Sequence, residues 1–140
     1  MKISERGIAL IKKYEGCRNV AYRCPAGVWT IGYGHTGSEV CEGLIWDYPQ
    51  IDLALRNDLV KFETKVNEYD NIYHWTQNEF DALVSFAFNL GTIKNLTNFG
   101  KRSRDEIRAV WCEYCHANGK KLVGLERRRK EELQLFNGNS

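Results

Sequence analysis

Three capping boxes punctuate the chain and commit much of it to helix. Asp47-Tyr-Pro-Gln50, Thr76-Gln-Asn-Glu79 and Ser103-Arg-Asp-Glu106 each offer a side-chain oxygen to the amide three residues on, where a Glu or Gln reaches back to the cap's own amide. Each box opens an apolar stripe at helical spacing. Ile51, Leu55, Leu59, Phe62, Val66 and Tyr69 recur every three or four residues and predict a helix of about twenty residues, about 30 Å long. Phe80, Leu83, Val84, Ala87 and Phe88, closing at Gly91, predict a helix apolar nearly all round, which belongs at the centre of a core. Ile107, Val110, Trp111 and Tyr114 predict a third, stopped by Gly119. A last helix is expected from about residue 125 to 136, with Leu125, Leu133 and Phe136 as its apolar side.

The first part of the chain reads differently. Ile8, Ile11 and Tyr14, behind Ser4 as N-cap and before Gly16 as stop, predict a short helix. Over residues 21–36, Gly27, Gly32 and Gly34 separate the β-formers Val28, Trp29, Thr30, Ile31 and Tyr33, which predicts a hairpin and a small sheet. So few strands do not make a domain of their own. The fold class is α+β, mostly helical, and residues 1–140 form one domain. At 140 residues, folding removes about two-thirds of the unfolded chain's surface from water, enough for one core without staples.

Charge is uneven. Residues 101–140 carry ten basic and six acidic side chains, against ten and twelve in the rest. Such a face suits an anionic polymer, and its default reading is a solvated helix face. No apolar run approaches the roughly 20 residues that cross a bilayer, nor the apolar stretch of a signal peptide, so synthesis in the cytoplasm is expected. The five cysteines, Cys17, Cys24, Cys41, Cys112 and Cys115, are odd in number, and at least one thiol must stay free. Cys112-Glu-Tyr-Cys115-His116 has the spacing of a haem attachment site or half a zinc site. Lying in the third predicted helix beside core-type Trp111 and Tyr114, it reads as a packed cysteine pair.

Chemistry gathers where the first helix gives way to the sheet. Glu15 closes the helix, Cys24 follows nine residues later, Thr30 six after that, and His35 sits among the glycines. A helix-terminal acid thus faces a hairpin bearing a thiol, a hydroxyl and an imidazole. A cap and a structural hairpin account for any one of these residues alone. Together they resemble the signature of phage-type lysozymes, the endolysins of glycoside hydrolase family 24, in which a Glu, an Asp or Cys nine residues on, and a Thr six further on line the cleft. Residues 76–91 resemble that family's buried helix and residues 124–133 its closing helix, so the likeness runs from about residue 3 to 136. Residues 92–104 form a shorter segment than is usual in the family.

The resemblance implies a two-lobed molecule: an N-terminal lobe with the hairpin at about residues 1–50, a bridging helix at 51–70 and a helical lobe at 71–140. It implies a muramidase that cuts the β-1,4 bond between N-acetylmuramic acid and N-acetylglucosamine in peptidoglycan, with no cofactor or metal. Glu15 is then the general acid, and Cys24 with Thr30 either supplies the nucleophile or positions water. A cation near Glu15 would come from the closing helix, with Arg127 the better match and Arg128 the second, while His35 braces the cleft. The expected partner is peptidoglycan, with neither nucleic acid nor a stable membrane association. A monomer is expected, made in the host cytoplasm and needing a holin or similar route to the wall.

Overall fold

The computed structural model describes residues 1–138. Its elements are α1 (Glu5–Glu15), β1 (Arg18–Arg23), β2 (Trp29–Gly32), β3 (His35–Thr36), α2 (Tyr48–Asn67), α3 (Asp70–Tyr73), α4 (Gln77–Leu90), α5 (Lys94–Thr97), α6 (Arg104–Trp111), β4 (His116–Ala117), β5 (Lys120–Lys121) and α7 (Val123–Phe136). The class is α+β. Two compact units divide it: Met1–Ile11 with Lys61–Ser140, and Lys12–Val60. None of the described helices is long and apolar enough to cross a membrane.

All three boxes form. Gln50's amide donates to Asp47 Oδ1 and Asp47's amide to Gln50 Oε1, both at 2.9 Å, and reciprocal bonds close the Thr76–Glu79 and Ser103–Glu106 boxes. Glu79 has a second task. Only 4% exposed, it accepts from Arg104 Nε at 2.7 Å and so ties α4 to α6. Ser4 departs from its expected role, because its hydroxyl and amide both donate to the Asp81 carboxylate. That clamp holds α1 close to α4, and Gly7 makes the approach possible: a Cβ there would lie 2.8 Å from Asp81 Cβ.

The core of the larger unit is built on α4, where every residue from Glu79 to Ala87 is buried. Phe86 meets Trp111 edge-on at 5.3 Å between ring centres, Trp111 meets Phe136 at 5.0 Å, and Trp75 stacks on Tyr73 at 4.3 Å. Rings buried in this way each contribute about 1.5–3 kcal/mol by leaving water.

The smaller unit holds a three-stranded antiparallel sheet in the order β1-β2-β3. Thr30 pairs with Thr36 and Ile31 with His35, so Ile31 and His35 share one face and Thr30 lies on the other. Beneath the first face, Ile31, Ile51, Leu55 and Leu59 are at most 2% exposed. Gly32 lets the sheet come down on α2, since it has φ +66 and a Cβ there would sit 3.0 Å from Ile51 Cγ2.

Two expectations fail in the last third. The third helix stops at Trp111 rather than near Gly119, because Asn118 and Gly119 take positive φ (53° and 75°) and turn residues 116–121 into the β4–β5 hairpin. Cys112 therefore caps the helix end, while Cys115 and His116 lie beyond it. The basic stretch is not a purely solvated face either: Arg128, Arg129 and Glu132 on α7 are 3%, 0% and 0% exposed.

Candidate active site

Glu15 is the last residue of α1, and Gly16 at φ +69 turns the chain out of the helix. The carboxylate lies beside the turn between β2 and β3. A Cβ on Gly34 would stand 4.0 Å from Glu15 Oε1.

Cys24 follows β1 and begins the tight turn to β2. Its amide donates to Val28 O at 3.0 Å, and the Gly27 amide returns to Cys24 O at 2.7 Å. Hydrogen bonds from Val28, then Ala26, with smaller ones from the Thr30 side chain and Gly27, outweigh desolvation and lower the thiol below its ordinary 9.0. The turn thus favours the thiolate, the nucleophilic form. Thr30 is 4% exposed, and its hydroxyl donates to Val28 O at 2.9 Å. Cys24 and Thr30 are therefore neighbours across one turn, held by the same backbone.

His35 is fixed from both sides. Its Nδ1 is 2.7 Å from Asp58 Oδ2 on α2 and its Nε2 is 2.6 Å from Glu39 Oε1, while its ring lies 5.4 Å from that of Trp46. Burial opposes the imidazolium, but hydrogen bonds to Glu39 and Asp58 outweigh it and raise His35 above 6.5. His35 in turn lowers Glu39 below 4.5. The raised His35 stabilises the fold fully below about 6.5 and loses that contribution as pH rises through its folded pKa. Glu39 contributes above about 4.5 and loses it as pH falls through its own lowered value. Thermal melts should show a fall in stability from pH 6 to pH 8 that is smaller in His35→Asn; equal falls would remove the bridge from the pH response.

Arg127 is exposed on α7, in the other unit. Arg128 is spent inside that unit, with Nη2 donating to Ser85 O at 3.2 Å and Nε to Glu132 Oε2 at 3.3 Å. All five cysteines are free; Cys115 is buried and Cys41 exposed. Cys115 Sγ lies 3.8 Å from His116 Nδ1, and among the described residues no three His, Cys, Asp or Glu side chains gather as a metal site would require. Asp58, Glu39 and the amides of the 24–28 turn are the site groups that spacing alone did not point to.

The phage lysozyme family model matches residues 12–132. The endolysin of Lactococcus phage c2 is 40% identical over 140 residues, a match covering 98% of this chain and 61% of that protein. The chain thus spans about three-fifths of that relative's length. Among solved structures, the active form of the P1 phage endolysin superposes with a TM-score of 0.85 at 28% identity, covering 99% of this chain and 86% of that one. The muramidase domain of SpmX from Asticaccaulis excentricus gives 0.81 at 39% identity, covering 96% and 97%.

Proposed function

Since this chain belongs to the phage lysozyme family, we propose that it hydrolyses bacterial peptidoglycan at the β-1,4 bond between N-acetylmuramic acid and N-acetylglucosamine, as a lysozyme of the glycoside hydrolase family 24 type. Glu15 protonates the leaving oxygen. Cys24 and Thr30 serve the opposite side of the sugar, by holding a water for direct attack or by attack of the sulfur on the anomeric carbon.

The observation that carries this reading is the turn over residues 24–28, where the Cys24 amide and the hydroxyl of the buried Thr30 both donate to Val28 O and so hold the thiol and the hydroxyl side by side. Inversion through water is the first reading of the step, because the Thr30 hydroxyl and the Cys24 thiol on one turn can orient one water together. Retention through a thioglycoside is the second. The anomer released first separates them, since a retained anomer excludes direct attack by water.

Cys24→Asp should keep wall clearing and Cys24→Ser should weaken it, read as loss of turbidity in a suspension of purified walls. In the same preparation the wild-type thiol should be alkylated with a midpoint below pH 9. A midpoint at or above that value, with equal clearing by the serine variant, would take Cys24 out of the chemistry.

Arg127 is proposed as a substrate-supporting residue, and His35 as a brace that holds β3 on α2. The enzyme acts on the wall after release from the cytoplasm in which it is made, through a holin or an equivalent route, as a monomer that needs no cofactor.

A further inference from the structure

A pocket of about 270 Å³ opens in the smaller unit, lined by His35, Glu39, Trp46, Gln50, Leu53, Ala54 and Asn57. It lies on the His35 face of the sheet, opposite Thr30, and shares no residue with Glu15, Cys24 and Thr30. Its chemistry is mixed in a specific way. Trp46 supplies a half-buried aromatic surface, steadied by the His35 ring at 5.4 Å. Leu53, 60% exposed, and Ala54 supply apolar floor. Around these stand uncharged amides: Gln50 uses its Oε1 on the Asp47 amide and keeps its NH₂ for a ligand, and Asn57 is exposed on the next turns of α2. Glu39 gives Oε1 to His35 and retains Oε2 as an acceptor.

An aromatic face, a small apolar patch, amide donors and one carboxylate acceptor fit a neutral ring with hydroxyls on its edge, apolar C–H groups on its face and an acetamido arm. Small pockets of this kind bind by apolar contact and take their specificity from a few placed polar groups. We infer that this pocket binds one N-acetylhexosamine unit of wall glycan, a second carbohydrate site on the far side of the sheet from Thr30. The inference rests on wall glycan being the substrate, and it assigns the pocket to holding the polymer rather than cutting it.

The test titrates the full chain carrying Glu15→Gln with tri-N-acetylchitotriose, following the Trp46 indole and the Gln50 and Asn57 side-chain amides by NMR. Saturable shifts at all three are expected. Leu53→Asp and Asn57→Ala, both at exposed positions, should weaken that binding about tenfold, equivalent to about 1.4 kcal/mol. Cellotriose, which lacks the acetamido groups, should bind at least as weakly as those variants. Shifts confined to Thr30 and Gly34 overturn the pocket while leaving the catalytic reading intact. Equal binding of cellotriose overturns the acetamido assignment, and a wall stem peptide that moves Trp46 where the sugar does not overturns the glycan. Silence at Trp46 also overturns the pocket, and wall clearing by the wild-type chain then shows separately whether the hydrolase reading stands.

Discussion

Glu15→Gln is expected to slow wall clearing by about 10²–10⁴-fold, the usual worth of a positioned general acid, while leaving stability within about 0.5 kcal/mol of the parent. Glutamine keeps the size and shape of the side chain at the end of α1 beside Gly34, but it has no proton to give a leaving alkoxide. The prediction is a split between two measurements. Turbidity of purified walls should hardly fall, whereas thermal melting and circular dichroism should match those of the parent. Equal clearing by parent and variant would remove Glu15 from the mechanism. Loss of both clearing and fold would make Glu15 a structural residue instead, and Glu15→Asp, which keeps the acid one methylene short, would then restore neither.

What the sequence made legible was local. A capping box needs only four residues, so Asp47–Gln50, Thr76–Glu79 and Ser103–Glu106 each form where they are written. The stripe from Ile51 to Leu59 likewise becomes the buried side of α2. Glu15, Cys24 and Thr30 were readable as a spacing, and the structure adds that Cys24 and Thr30 share Val28 O across the 24–28 turn, which depends on backbone angles that spacing does not encode. His35 was visible, but Asp58 is 23 positions away and becomes its partner only once β3 lies on α2. Asn118-Gly119 is a hairpin signal that outweighs the apolar stripe through Tyr114, because two residues of positive φ turn the chain back on itself. The core of α7 is not legible for a different reason: Arg, Arg, Arg, Lys, Glu, Glu in a row has the composition of a wet helix, and composition does not tell which of those charges has partners waiting.

Those partners make Glu132 the position of largest expected effect on stability. The carboxylate accepts from Ser85 Oγ at 2.6 Å, Arg129 Nη2 at 3.0 Å, and Trp111 Nε1 and Arg128 Nε at 3.3 Å, with no exposed surface of its own. Burial pushes its carboxyl up while the two guanidiniums pull the other way, and burial also lowers Arg129. The group is thus held by its donors alone. Glu132→Ala leaves two buried guanidiniums without their counter-charge, and removing one partner from such a cluster costs about 3–5 kcal/mol because the surviving charge stays desolvated. For a domain of this size that lowers the melting temperature by roughly 10 °C or more. Arg127→Ala, one residue before Arg128 but exposed, should stay within about 0.5 kcal/mol of the parent. The contrast isolates burial as the cause, since both changes remove one charge from the same helix. Urea denaturation of the two variants is the measurement, and Glu132→Ala melting with the parent would show that water reaches the cluster. Replacing Arg128, Arg129 and Glu132 together by apolar residues of similar volume tests the same physics from the other side. With no charge left to strand, that triple variant should recover most of the stability that Glu132→Ala alone removes, which would make the cluster costly to break while adding little net stability itself.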